Sequence, residues 1–197
     1  MRRRTFDILM VVAGLALAAV LAIGGALATW GHSVVNGEVH SQLAAQKIYF
    51  PTVTNPEFKA LPKADAAAMR PYAGQLMTTG AQARAYADHF IAFHLTGIGG
   101  GKTYSQLSAE AMAKPTDTAL ANQVQLMFRG TTLRSMLLEA YGFWQIGQIA
   151  LIAAIAAFAA AAALLVLSVL GLVHLRRVPQ DAEVFAKAAP SARVQTA

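Results

Sequence analysis

Residues 8–30 read ILMVVAGLALAAVLAIGGALATW and residues 149–173 read IALIAAIAAFAAAAALLVLSVLGLV, and neither run holds a charged side chain. Wound as a helix at about 1.5 Å per residue, the first would extend roughly 34 Å, enough to cross a hydrocarbon core. A helix at the surface of a water-soluble domain keeps a polar face, so stretches this long and this uniformly apolar are expected to lie in lipid.

The ends of the two runs carry the residues that orient such helices. Trp30 closes the first, where an indole keeps its ring in an apolar layer and its N–H wet, and Trp144, with Tyr141 and Phe143, precedes the second. Arg2, Arg3 and Arg4 stand before the first run, and Arg176 and Arg177 follow the second. Lys and Arg beside a span favour the cytoplasmic side, so these anchors predict both termini inside and the intervening segment outside. The expected layout is a cytoplasmic N-terminus at 1–7, a transmembrane helix at 8–30, an extracytoplasmic helical domain at 31–145, a second transmembrane helix at 146–174, and a disordered cytoplasmic tail at 175–197. A signal peptide is the rival reading of the first run, because Ala26-Leu27-Ala28 fits a cleavage site and Arg3-Arg4-Thr5-Phe6 resembles part of a twin-arginine signal. The run is long for such a signal and continues to Trp30, which favours a retained anchor; either outcome leaves the domain outside.

Charge and cysteine content narrow the function. The net charge of +6 divides as about +2 before, +2 between and +2 after the two runs. No stretch concentrates it, so binding to a nucleic-acid backbone is not expected. Cysteine is absent, which removes disulfides, thiolate metal sites and thiol nucleophiles. An outer domain must then hold together by packing.

Lipid tails are as apolar as leucine, so two spans associate through close approach at small residues. Gly14, Ala18, Ala22 and Ala26 recur every four residues on the first run, and Ala153, Ala157 and Ala161 on the second. These are the expected packing faces, either within the hairpin or toward another subunit. Alanine abounds in this chain, and on the second run such a pattern also arises by chance.

Between the runs the signals are helical. Val35, Val39 and Leu43 predict that the first helix continues outward until Pro51, with Gly31 and Gly37 as weak points. Prolines at 51, 56, 62 and 71 predict an irregular connection. Thr79 with Gln82 forms a capping box for a helix that carries Ala83, Ala87, Phe90, Ile91 and Leu95 on one face, ended by Gly97 and the glycines at 99–101. Thr103 with Gln106 repeats the box for a short helix to Lys114, and Pro115 fits the first turn of the next. That last helix shows a stripe of Leu120, Val124 and Met127, a break at Gly130, and then Leu133, Leu137, Tyr141 and Trp144. The fold class expected is an all-α membrane protein, two transmembrane helices flanking a small helical extracytoplasmic domain.

Motifs of catalysis are weak. Gly-Gly-Gly-Lys-Thr at 99–103 invites a phosphate-loop reading, but Thr96 stands where that loop needs its first glycine and no strand precedes it. His89 and His94 with Asp88, and His32 with His40, are candidate metal ligands, yet a spacing of five turns His89 and His94 to different sides of a helix. No GxSxG elbow occurs. Gln145 and Gln148 read as interfacial hydrogen-bonding residues, and without a charge inside either run ion translocation is not expected. No catalytic, cofactor or metal residue is assigned, and neither nucleotide nor nucleic acid is expected as a partner.

The segments RRRTFD, VHSQLAAQKIYFP, MTTGAQARAYADHFIAFHL, GGGKTYSQLSAEA and HLRR resemble, across most of the chain, a family of uncharacterised two-span membrane proteins from high-GC Gram-positive bacteria. Some members are labelled aromatic ring-opening dioxygenases, a chemistry that takes iron on two histidines and a carboxylate with open positions. The resemblance implies the two-span topology and supplies no catalytic residue. The expected function is a non-enzymatic accessory or scaffold protein of the cell envelope, in contact with the bilayer and with a membrane protein partner or further copies of itself. The alternatives are a ligand-sensing domain acting through a partner, and an extracytoplasmic enzyme.

Overall fold

The computed structural model describes residues 3–177. Arg2 and the expected tail from residue 178 onward lie outside the described residues. Within them the chain forms α1 (Arg3–Ala45), α2 (Pro56–Lys59), α3 (Lys63–Met69), a 3-10 turn (Arg70–Tyr72), α4 (Gly80–Tyr86), a π-turn (Ala87–Ile91), α5 (Ala92–Gly99), α6 (Tyr104–Ala113) and α7 (Thr118–Leu175). No strand occurs among the described residues; Tyr49 and Leu76 form an isolated antiparallel bridge. Two helices are long and apolar enough to cross a membrane, α1 with 43 residues and α7 with 58. The chain divides into two compact units, Met1–Thr29 with Leu151–Ala197, and Trp30–Ala150.

The first unit is a helix pair. Val11, Ala18 and Gly25 of α1 are buried, as are Ala154, Ala161 and Ser168 of α7. Both sets recur every seven residues, the repeat that keeps one seam facing its partner when two helices wind left-handedly. Large side chains take the other faces: Leu9, Val20, Ile23, Leu27, Ile152, Ile155, Leu167 and Leu170 are all exposed.

The second unit is a packed helical module. Val39 and Leu43 of α1 enter a core with Phe50, Phe58, Leu61, Met69, Met77, Ala83, Ala87, Ile91 and Leu137. Burial of Val39 and Leu43 explains why α1 runs unbroken through Gly31 and Gly37, since each helical glycine costs only about 1 kcal/mol relative to alanine. After α1, Lys47 takes a left-handed conformation with φ 55°. The chain then pairs briefly with residues 74–77, Phe50 N–H donating to Gln75 O at 2.9 Å and Met77 N–H to Ile48 O at 2.9 Å.

The proline-rich stretch is more regular than its composition predicts. Asn55 accepts from Glu57 N–H and Pro56 occupies the first turn of α2, where its missing N–H costs nothing. The alanine-rich α3 starts directly after Pro62. Phe58, Leu61 and Met69 sink into the core, and that burial stabilises helices too short to persist alone. Pro115, expected within the last helix, instead precedes it: Asp117 accepts from Leu120 N–H and α7 begins at Thr118. Both capping boxes form, with Thr79 accepting from Gln82 N–H and Thr103 from Gln106 N–H.

Candidate functional site

The seam of the helix pair is built by absent side chains. A Cβ on Gly14 would meet Ser168 Oγ at 2.6 Å, and one on Gly171 would meet Val11 Cγ2 at 2.7 Å. Gly25 lies under the Phe158 ring, 3.0 Å from the position of its missing Cβ. Of the expected packing residues, Gly14 and Ala18 stand on this seam, Ala22 is half-buried at its edge and Ala26 is exposed. On α7, Ala161 is buried, Ala157 half-buried and Ala153 exposed. A strict four-residue stripe advances about 40° per step around an α-helix, so it leaves a seam that follows a seven-residue repeat. Ala154 and Ser168, not singled out from the sequence, complete the seam.

The orienting residues are placed as follows. Arg3, Arg4, Arg176 and Arg177 are exposed, and Trp30 is 67% exposed. Trp144 is half-buried and packs against the core of the second unit.

In the second unit, polar chemistry gathers at the π-turn. Asp88 accepts from Arg134 Nη2 at 2.7 Å and lies 3.6 Å from Arg84 Nε. Arg134 Nε also donates to Ala87 O at 3.2 Å, the carbonyl that the widened turn pairs with Ala92 N–H. Arg84 donates to Tyr141 Oη at 2.8 Å and stacks 4.9 Å over its ring. His89 Nδ1 meets Asp65 Oδ1 at 2.8 Å. Such a bridge ties α3 to the turn, while His94 Nδ1 donates to Phe90 O at 2.7 Å. Among the described residues no group of three His, Cys, Asp or Glu is placed to hold a metal ion.

Sequence reading missed the π-turn, although its trace is present. Ala83, Ala87, Ile91 and Leu95 keep a four-residue spacing that a uniform α-helix would rotate off the core; one turn with more residues absorbs the drift. Arg134 carried no signal, because its partners come from another helix.

The glycine-rich turn is structural in form. Gly100 and Gly101 take φ of 58° and 82°, ending α5 in the left-handed region that glycine allows. Lys102 donates to both oxygens of Glu110, at 2.6 and 2.8 Å. Beside it a cavity of about 380 Å³ is lined by Lys102, Thr103, Thr131 and Arg134, its two cations already matched by Glu110 and Asp88.

A third polar cluster joins α1 and α7. His32 Nδ1 lies 2.9 Å from Gly147 O, which can only accept, so this nitrogen carries the proton. Its Nε2 then accepts from Asn36 Nδ2 at 2.9 Å, and Gln148 Nε2 reaches Asn36 Oδ1 at 3.4 Å. His40 is exposed.

The described chain is thus all-helical, pairing two long apolar segments in one unit and packing a separate helical module in the other. No protein-family model, curated protein or solved structure matches it.

Proposed function

We propose that this is a non-enzymatic integral membrane protein of the cell envelope, an accessory or scaffold with both ends in the cytoplasm and its helical module outside. The observation that carries the reading is the inversion of the first unit: small residues fill its seam while Leu, Ile and Val cover its outer faces, an arrangement stable in lipid and unfavourable in water. The arginines at the ends of both runs support the orientation. The scaffold role is supported by α7 within the second unit, where Leu126, Leu133, Met136 and Phe143 are exposed at the three- and seven-residue spacings of a helix-packing stripe. A membrane protein partner or a further copy of the chain would cover that stripe. Affinity purification of the tagged full chain in mild detergent tests this. Recovery of a defined complex, lost when Leu133 and Met136 are changed to Ser, is expected; recovery of the solitary chain under all growth conditions would overturn the scaffold role.

A further inference from the structure

Asp7 is the one acidic residue ahead of the first apolar run, and it lines a cavity of about 420 Å³ in the helix pair. Its Oδ2 is shut off from solvent with no hydrogen-bond partner among the described residues. Asp7 joins none of their ion pairs either, although Arg3 and Arg4 sit one turn earlier on the same side of α1. A carboxylate oxygen in that state is a standing cost unless a donor arrives from outside.

The rest of the cavity says what kind of donor fits. Ser168 and His174 face it from α7, while Met10, Leu17 and Leu164 give it apolar walls. Exposed Arg3, Arg4, Arg176 and Arg177 flank this end of the pair. A bare divalent cation would satisfy Asp7 yet leave the apolar walls and the arginines at this end of the pair without a partner. A molecule with a cationic donor, an adjoining phosphate and a long apolar chain matches the carboxylate, the arginines and the apolar walls together.

We propose that this cleft binds one aminophospholipid, such as phosphatidylethanolamine, with its ammonium on the Asp7 carboxylate, its phosphate on the flanking arginines and an acyl chain along Met10, Leu17 and Leu164. The proposal rests on the membrane reading above, with this end of the pair at the inner leaflet. The ammonium donates N–H bonds to the Asp7 carboxylate at the cavity wall, and a turn of that carboxylate about its Cβ–Cγ bond brings the unpartnered Oδ2 within reach. Ser168 and His174 border the headgroup on the opposite helix.

Native mass spectrometry of the full chain released from nanodiscs of equal phosphatidylethanolamine and phosphatidylglycerol tests the site. The expected result is one retained phosphatidylethanolamine in several-fold excess over phosphatidylglycerol, with Asp7→Asn abolishing the excess and leaving phosphatidylglycerol retention unchanged. A parallel arm needs no variant: phosphatidylcholine, whose quaternary nitrogen has no N–H, is expected to be retained several-fold less by the unaltered chain. Equal retention of the three lipids, an Asp7→Asn chain that keeps the preference, or a chelator-sensitive divalent cation in place of lipid would each overturn the proposal while leaving the membrane reading intact. Failure of the unaltered chain to enter nanodiscs would overturn both.

Discussion

Gly80 opens α4 directly beneath Trp144, and a methyl group at that position would overlap Trp144 Cβ and the Cγ of its indole. The Cβ cannot swing aside as the tip of a flexible side chain does, so the helix itself would have to move. Gly80→Ala is expected to cost about 1–3 kcal/mol, the usual range for overpacking a filled site, read as a lower unfolding midpoint of the full chain in detergent. Tyr86 shows a second local constraint. Its ring meets Phe50 edge-on at 5.3 Å and lies 4.7 Å from Phe90. Burial, and then the nearby Glu57 carboxylate, raise its phenol above the ordinary value of 10.0. The folded state therefore holds this proton more tightly than the unfolded chain does. Its contribution to stability is complete below pH 10 and declines as pH rises through the folded value. Alkaline titration of unfolding should accordingly show a smaller loss for Tyr86→Phe than for the unaltered chain, and equal losses would refute the assignment. The sequence places Gly80 after a capping threonine and Tyr86 within a helix; their partners come from distant segments and were not legible.

At the scale of the element, the helix pair turns on the difference between four and three and a half. Small residues announced close approach, but only the paired helices decide which of them meet. Gly14 and Ser168 do: the position of the missing Gly14 Cβ is 4.0 Å from Ser168 Cβ, within the roughly 3.5–4.5 Å that a disulfide spans. The chain has no cysteine of its own. Gly14→Cys with Ser168→Cys is therefore expected to cross-link within one chain on mild oxidation, seen as a mobility shift reversed by reductant. Ala16→Cys with Ser168→Cys, from an exposed position on α1, should not; equal yields would show a different seam. In the second unit, the π-turn keeps Ala87 and Ile91 on the core while presenting Asp88 to Arg84 and Arg134. Those pairs are partly exposed, so they add direction more than stability. Both capping boxes, by contrast, were readable from four-residue strings, because an N-cap closes on its own next turn.

For the whole molecule, orientation is the property that the arginine-marked ends predict. Exposed Lys59 and Lys102 in the second unit become probes when either is changed to Cys in this cysteine-free chain. A membrane-impermeant maleimide should label both in intact cells. Labelling that appears only after the inner face is opened would reverse the proposed topology. What residue order alone determined is local: uninterrupted apolar stretches, their charged and aromatic borders, helix starts set by threonine caps and stops set by glycine. Each depends on neighbours within a turn or on solvent transfer summed along one segment, so no fold is needed to read it. What the tertiary structure decided is pairing. It set the seven-residue seam, buried short helices in the proline-rich stretch, drew Arg134 to the π-turn and left the Asp7 oxygen without a donor among the described residues. These follow from which surfaces meet: residue order along one segment can announce a packing face, but it does not say which distant segment covers that face.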